Sequence, residues 1–169
     1  GNRPVIAEDL GFLTPGVLKL VKRTGYPGMK VLQFAFDAGG ESDYLPHNYN
    51  NNCVVYTGTH DNDTVNGWIA SMGRKDLAFA RKYLNVRRNA DIRESLIRTA
   101  LASVADTAVI PMQDYLGLGG EARINLPSTL GGNWEWRMER GACSEALSSH
   151  MLELAQVYGR TVRAGKKKR

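Results

Sequence analysis

The chain has 169 residues, 43% of them hydrophobic and 23% charged, which suits one globular domain with a sizeable core. Its formal net charge is +5, but Lys166, Lys167, Lys168 and Arg169 supply four of those charges at the C-terminal end, so the body is nearly neutral. A basic stripe interleaved with aromatics, as nucleic-acid binding favours, is not evident, and no apolar run approaches the roughly 20 residues of a membrane span.

The first predicted element is a strand over residues 5–7, ending in the acidic pair Glu8-Asp9. Thr14-Pro15 supplies a helix N-cap and a proline at the first helical position, and Gly25 a stop. In that helix Val17, Leu18, Leu20 and Val21 are expected to face a sheet, with Lys19, Lys22 and Arg23 in water. Residues 29–36 are mostly apolar and predict a parallel strand covered on both faces. The loop over 37–52 is longer than an ordinary strand-to-helix connection, a length that favours a functional role. A third strand is expected over 53–57, and Asp63 or Thr64 is placed to cap a helix reaching residue 72.

Two more helices are predicted over 76–84 and 91–105, the second with Ile92, Leu96, Ile97, Ala100, Leu101 and Val104 on one face. Residues 107–112 give a fourth strand, 117–132 a glycine-rich irregular stretch, and 144–158 a last amphipathic helix. Residues 1–160 are expected to form the folded unit and 161–169 a basic disordered tail. The opening Gly1-Asn2-Arg3-Pro4, followed at once by a strand, leads us to expect that further chain precedes it.

Strands alternating with helices argue for parallel βαβ units in an α/β fold. Glu8 and Asp61 both follow an apolar strand, and acids at successive strand ends are how a (β/α) barrel builds its site on one face. A complete (β/α)8 TIM barrel typically needs about 250 residues, so this chain is expected to be its second half, the last four strand–helix units.

Other motifs fail on spacing. Asp61-Asn62-Asp63 opens like a calcium loop, but Val65, Asn66 and Met72 stand where an EF-hand needs an oxygen ligand, glycine and glutamate. Gly117-Leu118-Gly119-Gly120-Glu121-Ala122 fits a relaxed dinucleotide pattern, yet Arg123-Ile124-Asn125-Leu126-Pro127 follows in place of a helix. His47, His60 and His150 are too far apart for a local zinc motif. Cys53 and Cys143 are isolated, which suits a reducing compartment, and no signal-peptide apolar region opens the chain.

Carboxylate chemistry survives. Cleavage of a glycoside needs one acid of raised pKa to protonate the leaving oxygen and a second carboxylate opposite it. Glu8 can be raised by partial burial and by the neighbouring Asp9, although a strand-end acid also serves as a helix cap or a lysine partner. Asp9 points to the other face of the strand and is expected to bond loop backbone.

Five segments, in order, carry a specific resemblance: Ala7-Glu8-Asp9-Leu10-Gly11, Met29-Lys30-Val31-Leu32-Gln33-Phe34-Ala35-Phe36, Leu45-Pro46-His47-Asn48-Tyr49, Tyr56-Thr57-Gly58-Thr59-His60-Asp61-Asn62-Asp63-Thr64 and Gly131-Gly132-Asn133-Trp134-Glu135-Trp136-Arg137. From about residue 4 to 158 the chain resembles the 4-α-glucanotransferases called amylomaltase or disproportionating enzyme. The resemblance implies an α-amylase-like barrel, transfer of α-1,4-glucan segments between maltooligosaccharides with retention, and no metal or organic cofactor. It places the general acid/base on Glu8, the transition-state-stabilising carboxylate on Asp61, and sugar contacts on His60 and Asn125, with Phe34 stacking near the acceptor. Core filling is the alternative for Phe34.

Departures are instructive. The Arg-x-Asp-His-type strand end that carries the family's nucleophile is absent from this chain. Val65 replaces a usual threonine, and Arg123-Ile124-Asn125-Leu126-Pro127-Ser128-Thr129 departs from the commoner Arg-Met-Asn-x-Pro-Gly-Thr. The expected partner is therefore the missing N-terminal half of the barrel, or another copy through a raw sheet edge. An α-glucan hydrolase of the same superfamily and a non-catalytic glucan-binding remnant are the other readings. Bacterial and chloroplast members share the motifs, so the expected location is the cytoplasm or a plastid.

Overall fold

The computed structural model describes residues 4–11, 13–36 and 41–162. The sequence alternates strands and helices as expected, and three parallel strands form one sheet in the order β1 (Gly28–Val31), β2 (Cys53–Tyr56), β3 (Thr107–Val109). The register pairs Gly28 with Cys53 and Val31 with Tyr56, then Val54 with Thr107 and Tyr56 with Val109. All strands therefore point their C-terminal ends the same way, and the loops that leave those ends gather on one side. The predicted basic tail falls almost wholly outside the described residues, which end at 162.

Two of the predicted strands are shortened. The chain leaves β1 at Val31 and enters a 3-10 turn, Leu32–Phe34, because β2 ends opposite Val31 and no ladder partner remains for residues 32–36. Likewise β3 stops at Val109, since Pro111 has no N–H to donate and instead sits at the start of α5 (Met112–Leu116). Residues 5–7 make no ladder at all. Among the described residues their one backbone bond is Ala7 N–H to the Pro27 carbonyl at 2.9 Å, and the Met29 amide, which a parallel ladder would turn back to Ala7, donates to Asp9 Oδ1 instead.

The helix α1 (Pro15–Thr24) forms as its cap predicts, with the Val17 amide donating to Thr14 Oγ1 at 3.4 Å. Its apolar face, however, is not covered: Val17, Leu18 and Leu20 are 39%, 51% and 60% exposed. The floor for that helix would be a groove between two strands, and with residues 5–7 held by one bond only β1 is there to receive it.

The C-terminal body is packed differently. Thr64 caps α2 (Val65–Ser71), accepting from the Gly67 amide, and α3 (Arg74–Tyr83) follows from a Gly73 N-cap. The helix α4 (Ile92–Ala102) buries Ile92, Leu96, Ile97, Ala100 and Leu101. Val104, predicted on the same face, is half exposed because Ser103 leaves the helix in extended backbone. Leu96 and Ala100 meet Leu32, Phe36, Leu45, Val55, Val65 and Ala80 in the main core, where the Trp68, Phe79 and Tyr83 rings surround Phe36 at 5.7 to 5.9 Å. On the other face of α4, Ile97 and Leu101 pack on Leu154 of α6 (Glu145–Val157). Beyond α6 the Arg160 guanidinium donates to the carbonyls of Leu101, Ser103 and Ala105, which satisfies the C-terminal end of α4 with a cation.

Candidate active site

The loop 57–64 leaves the C-terminal end of β2 and is held from below by a buried carboxylate. Asp114, in α5 and 1% exposed, accepts from Thr57 Oγ1 at 2.6 Å and from the Val65 amide at 2.8 Å, so it bolts the strand end to the start of α2. Burial raises the Asp114 pKa, while the Thr57 and Val65 hydrogen bonds and the Arg93 guanidinium oppose that rise. From the side, Gln33 Nε2 donates to the Asp63 carbonyl at 2.8 Å. Gly58 permits this approach: a Cβ there would lie 2.5 Å from Gln33 Nε2. Within the loop, Asn62 Oδ1 accepts from both the Thr59 amide and the Thr59 hydroxyl, at 2.9 and 2.8 Å.

The two residues that face outward, His60 and Asp61, are held from the opposite side by residues 123–134. Asn125 Nδ2 donates to Asp61 Oδ1 at 2.6 Å, and the Asn125 amide donates to the His60 carbonyl at 3.1 Å. Arg123 Nη2 donates to the Asp61 carbonyl at 2.6 Å and Arg123 Nε to the Asn125 carbonyl at 2.9 Å. His60 Nε2 lies 3.3 Å from Asp61 Oδ1, and the His60 ring packs on Trp134 with centroids 5.1 Å apart. Among the described residues no side chain or backbone donor hydrogen-bonds Asp61 Oδ2, which leaves that oxygen for a ligand.

Glu8, Phe34 and Asp61 line one open cavity of about 760 Å³, with Ser42 and Tyr44 of the long loop as further wall. Glu8 and His60 also line an adjoining cavity of about 630 Å³ that runs over Tyr56, Gln113 and Trp136. Every candidate from the sequence thus comes to one face: four line these cavities, and Asn125 joins through Asp61. Phe34 is 36% exposed and meets Tyr44 edge-on at 5.5 Å, so it is a wall of the cavity and not core filling.

Glu8 departs from expectation. It was expected to be partly buried, and it is exposed, with no hydrogen bond or ion pair among the described residues. The extended segment that carries it has a single bond to the sheet, so this chain provides no wall to desolvate its carboxyl. Asp9, expected to bond loop backbone, accepts instead from the Met29 amide of β1 at 2.6 Å, and its carboxylate lies where a Cβ on Gly28 would fall.

Sequence reasoning missed Asp114, Arg123 and Trp134 as parts of the site. Trp134 sits in the last of the five family-like segments and at a positive φ of 65°, an arrangement that pattern alone does not reveal. The segment 117–122 forms a 3-10 turn, Gly120–Ala122, and no helix, which is why it cannot cradle a dinucleotide phosphate. Among the described residues no three His, Cys, Asp or Glu side chains converge as metal ligands, and no helix is long and apolar enough to cross a membrane.

Known proteins share much of this sequence and its fold. A family model described as 4-alpha-glucanotransferase matches residues 1–144. A 4-alpha-glucanotransferase of Clostridium butyricum is 48% identical over 161 residues, covering 95% of this chain and 33% of that protein. A chloroplastic/amyloplastic 4-alpha-glucanotransferase of Arabidopsis thaliana is 47% identical, covering 95% and 28%. Among solved structures, amylomaltase from Streptococcus agalactiae in complex with acarbose superposes with a TM-score of 0.91 at 39% identity, covering 96% of this chain and 33% of that one. Amylomaltase from Corynebacterium glutamicum, at 16% identity and a TM-score of 0.64, shares the fold. The chain spans about a third of the length of the relatives it matches. With a family model matching residues 1–144 and relatives nearly half identical over 95% of its length, the chain belongs to the 4-alpha-glucanotransferase family.

Proposed function

We propose that this chain is the C-terminal half of a (β/α)8 catalytic barrel whose parent protein moves α-1,4-glucan segments between maltooligosaccharides. The observation that carries this reading is the shared cavity of Glu8, Phe34 and Asp61, with Asn125 holding Asp61 from behind. Glu8 is the general acid/base. It protonates the glycosidic oxygen as that bond breaks, while a carboxylate outside this chain attacks the anomeric carbon and forms a glycosyl-enzyme intermediate. The 4-hydroxyl of an acceptor glucan then attacks the same carbon, displaces the carboxylate and gives its proton to Glu8. Retention follows from two inversions.

Asp61 stabilises the transition state. Its Oδ1 is occupied by Asn125, which turns Oδ2 toward the cavity, where it accepts sugar hydroxyl protons as the ring flattens toward an oxocarbenium ion. His60, half exposed beside it, donates to the same sugar, and Phe34 offers a face to glucose and keeps water from the intermediate. The nucleophile, the remaining strands and the wall that desolvates Glu8 belong to the missing N-terminal half, which is the partner of the exposed α1 face and of residues 4–11. The folded unit is residues 1–160, the substrates are α-1,4-glucans, and no cofactor enters the chemistry. Cytoplasm suits the bacterial type, and a plastid the plant type, as the chloroplastic relatives suggest.

Two substitutions in the parent protein test the assignment. Glu8→Gln cannot donate the proton and is expected to lower turnover of maltotriose by about 10² to 10⁴-fold. Asp61→Asn is expected to lower kcat far more than it raises KM, because its hydrogen bonds strengthen in the transition state. Near-normal turnover with Glu8→Gln contradicts the acid/base role, and an effect of Asp61→Asn confined to KM contradicts the stabilising one.

A further inference from the structure

The backbone of the loop that carries His60 and Asp61 is tied down by hydrogen bonds, whereas the imidazole of His60 is held more loosely. That ring is 52% exposed in its side chain and has Asp61 Oδ1 at 3.3 Å on one edge. Its other restraint is Trp134, whose ring lies 5.1 Å away and tilted by 34°.

Trp134 is an unusual residue to find there. Its φ of 65° lies in the left-handed region, which penalises a bulky side chain and favours glycine. The ring is 57% exposed, so it buries little apolar surface in return. Yet the backbone is held in that conformation at both ends: the Trp134 amide donates to the Ile124 carbonyl at 2.7 Å, and the Trp134 carbonyl accepts from Arg137 Nη1 at 3.1 Å. Ile124 lies between Arg123 and Asn125, the two residues that grip Asp61. A strained, exposed aromatic beside a functional loop is kept where its contact serves the site.

We propose that Trp134 is a positioning residue that acts through His60: its indole backs the imidazole and keeps Nε2 beside Asp61, where both meet the same sugar. The proposal rests on the functional reading above. It differs from a sugar-stacking role, because Trp134 lines neither cavity and its ring packs on His60. A loosely held imidazole would still let substrate bind but would seldom be in register at the moment of transfer. Misplacement of such a group by about 1 Å costs on the order of 10²-fold in rate.

The test compares Trp134→Gly and Trp134→Phe with the wild-type parent protein in maltotriose disproportionation, measuring kcat and KM separately and Tm beside them. Glycine accepts a φ of 65° without strain, so Trp134→Gly removes the ring and leaves the backbone at ease. The expected result for Trp134→Gly is a fall in kcat of about 10 to 100-fold with KM and Tm nearly unchanged. Trp134→Phe, which keeps a ring against His60, recovers most of that loss. Unchanged kcat in Trp134→Gly overturns the proposal. So does a rise in KM alone, which makes Trp134 a glucan contact, or a lower Tm with normal kcat per folded molecule, which makes it structural. A wild-type parent that transfers no glucan overturns the functional reading itself, whereas the preceding outcomes occur with that transfer intact.

Discussion

Residues 4–25 and residues 53–65 each deliver an acid to the same cavity, and they are held in opposite ways. Asp61 stands on a loop fixed by a buried carboxylate below, a glutamine at the side and an Arg–Asn pair above. Glu8 stands on a segment with one backbone bond to the sheet, followed by a helix whose apolar face is open. On the proposed roles, the stabilising acid is preorganised by the chain that carries it, and the proton donor is not. Preorganisation of a group that binds developing charge reduces reorganisation at the moment of reaction. A proton donor needs an environment that sets its pKa as well as a position.

The contrast can be broken by deletion in each region. Leu96→Ala opens a cavity between α4 and the sheet and is expected to destabilise the chain by about 2 to 5 kcal/mol. Leu18→Ala, on the uncovered face of α1, is expected to change stability by no more than about 0.5 kcal/mol. Urea unfolding of the two variants checks this. A large loss for Leu18→Ala would show that α1 is packed in solution and that the two regions are alike.

A finer probe is the bolt beneath Asp61. Thr57→Val keeps the shape but leaves the buried Asp114 carboxylate one donor short, at an expected cost of about 1 to 3 kcal/mol in urea. The same carboxylate gives a pH signature. Burial raises the folded pKa of Asp114 above its unfolded value, so the folded state holds that proton more tightly and is favoured at low pH. Its contribution to stability therefore falls as pH rises from the ordinary carboxylate value through the raised one, and is constant above. Asp114→Asn should remove that fall, which unfolding curves across the acid range would detect. An unchanged pH profile in the variant would place the titration elsewhere.

A small gain is expected just beyond the Arg123–Asn125 clamp. Ser128 has a φ of 64° and stands where the commoner family wording has glycine. Ser128→Gly should relieve that strain and raise stability by about 0.5 to 1 kcal/mol, read from the urea midpoint. A loss of stability would mean that the serine side chain contributes more than its backbone costs.

Local signals in the sequence located whatever depends on local chemistry. Thr14 caps the helix it was expected to cap, Thr64 takes the cap left open between it and Asp63, and the apolar face of α4 is buried from Ile92 to Leu101. The five candidate site residues converge because three lie at or just beyond strand ends and the family motifs carried the rest. What was not legible depends on pairs far apart in the chain. Thr57 with Asp114 and Asp61 with Arg123 are separated by more than fifty positions, and no periodicity records such a bond. Residues 5–7 show the converse: Val5 and Ile6 have strand propensity, but the Met29 amide that would continue a parallel ladder is taken by the Asp9 side chain. The helix α5 was missed because five residues are too few to display a period.

On the proposed reading, this chain carries two of the three acids of a retaining transfer, and the third stands on a strand outside it. In retaining enzymes of this chemistry the nucleophile lies about 5 to 5.5 Å from the acid/base. The direct measurement mixes the 169-residue polypeptide with a separately expressed N-terminal half and follows glucose release from maltotriose. The expected result is no transfer by either piece alone and transfer on mixing, abolished by Glu8→Gln. Transfer by the purified 169-residue chain alone would contradict the half-barrel reading, because the nucleophile would then lie within this chain.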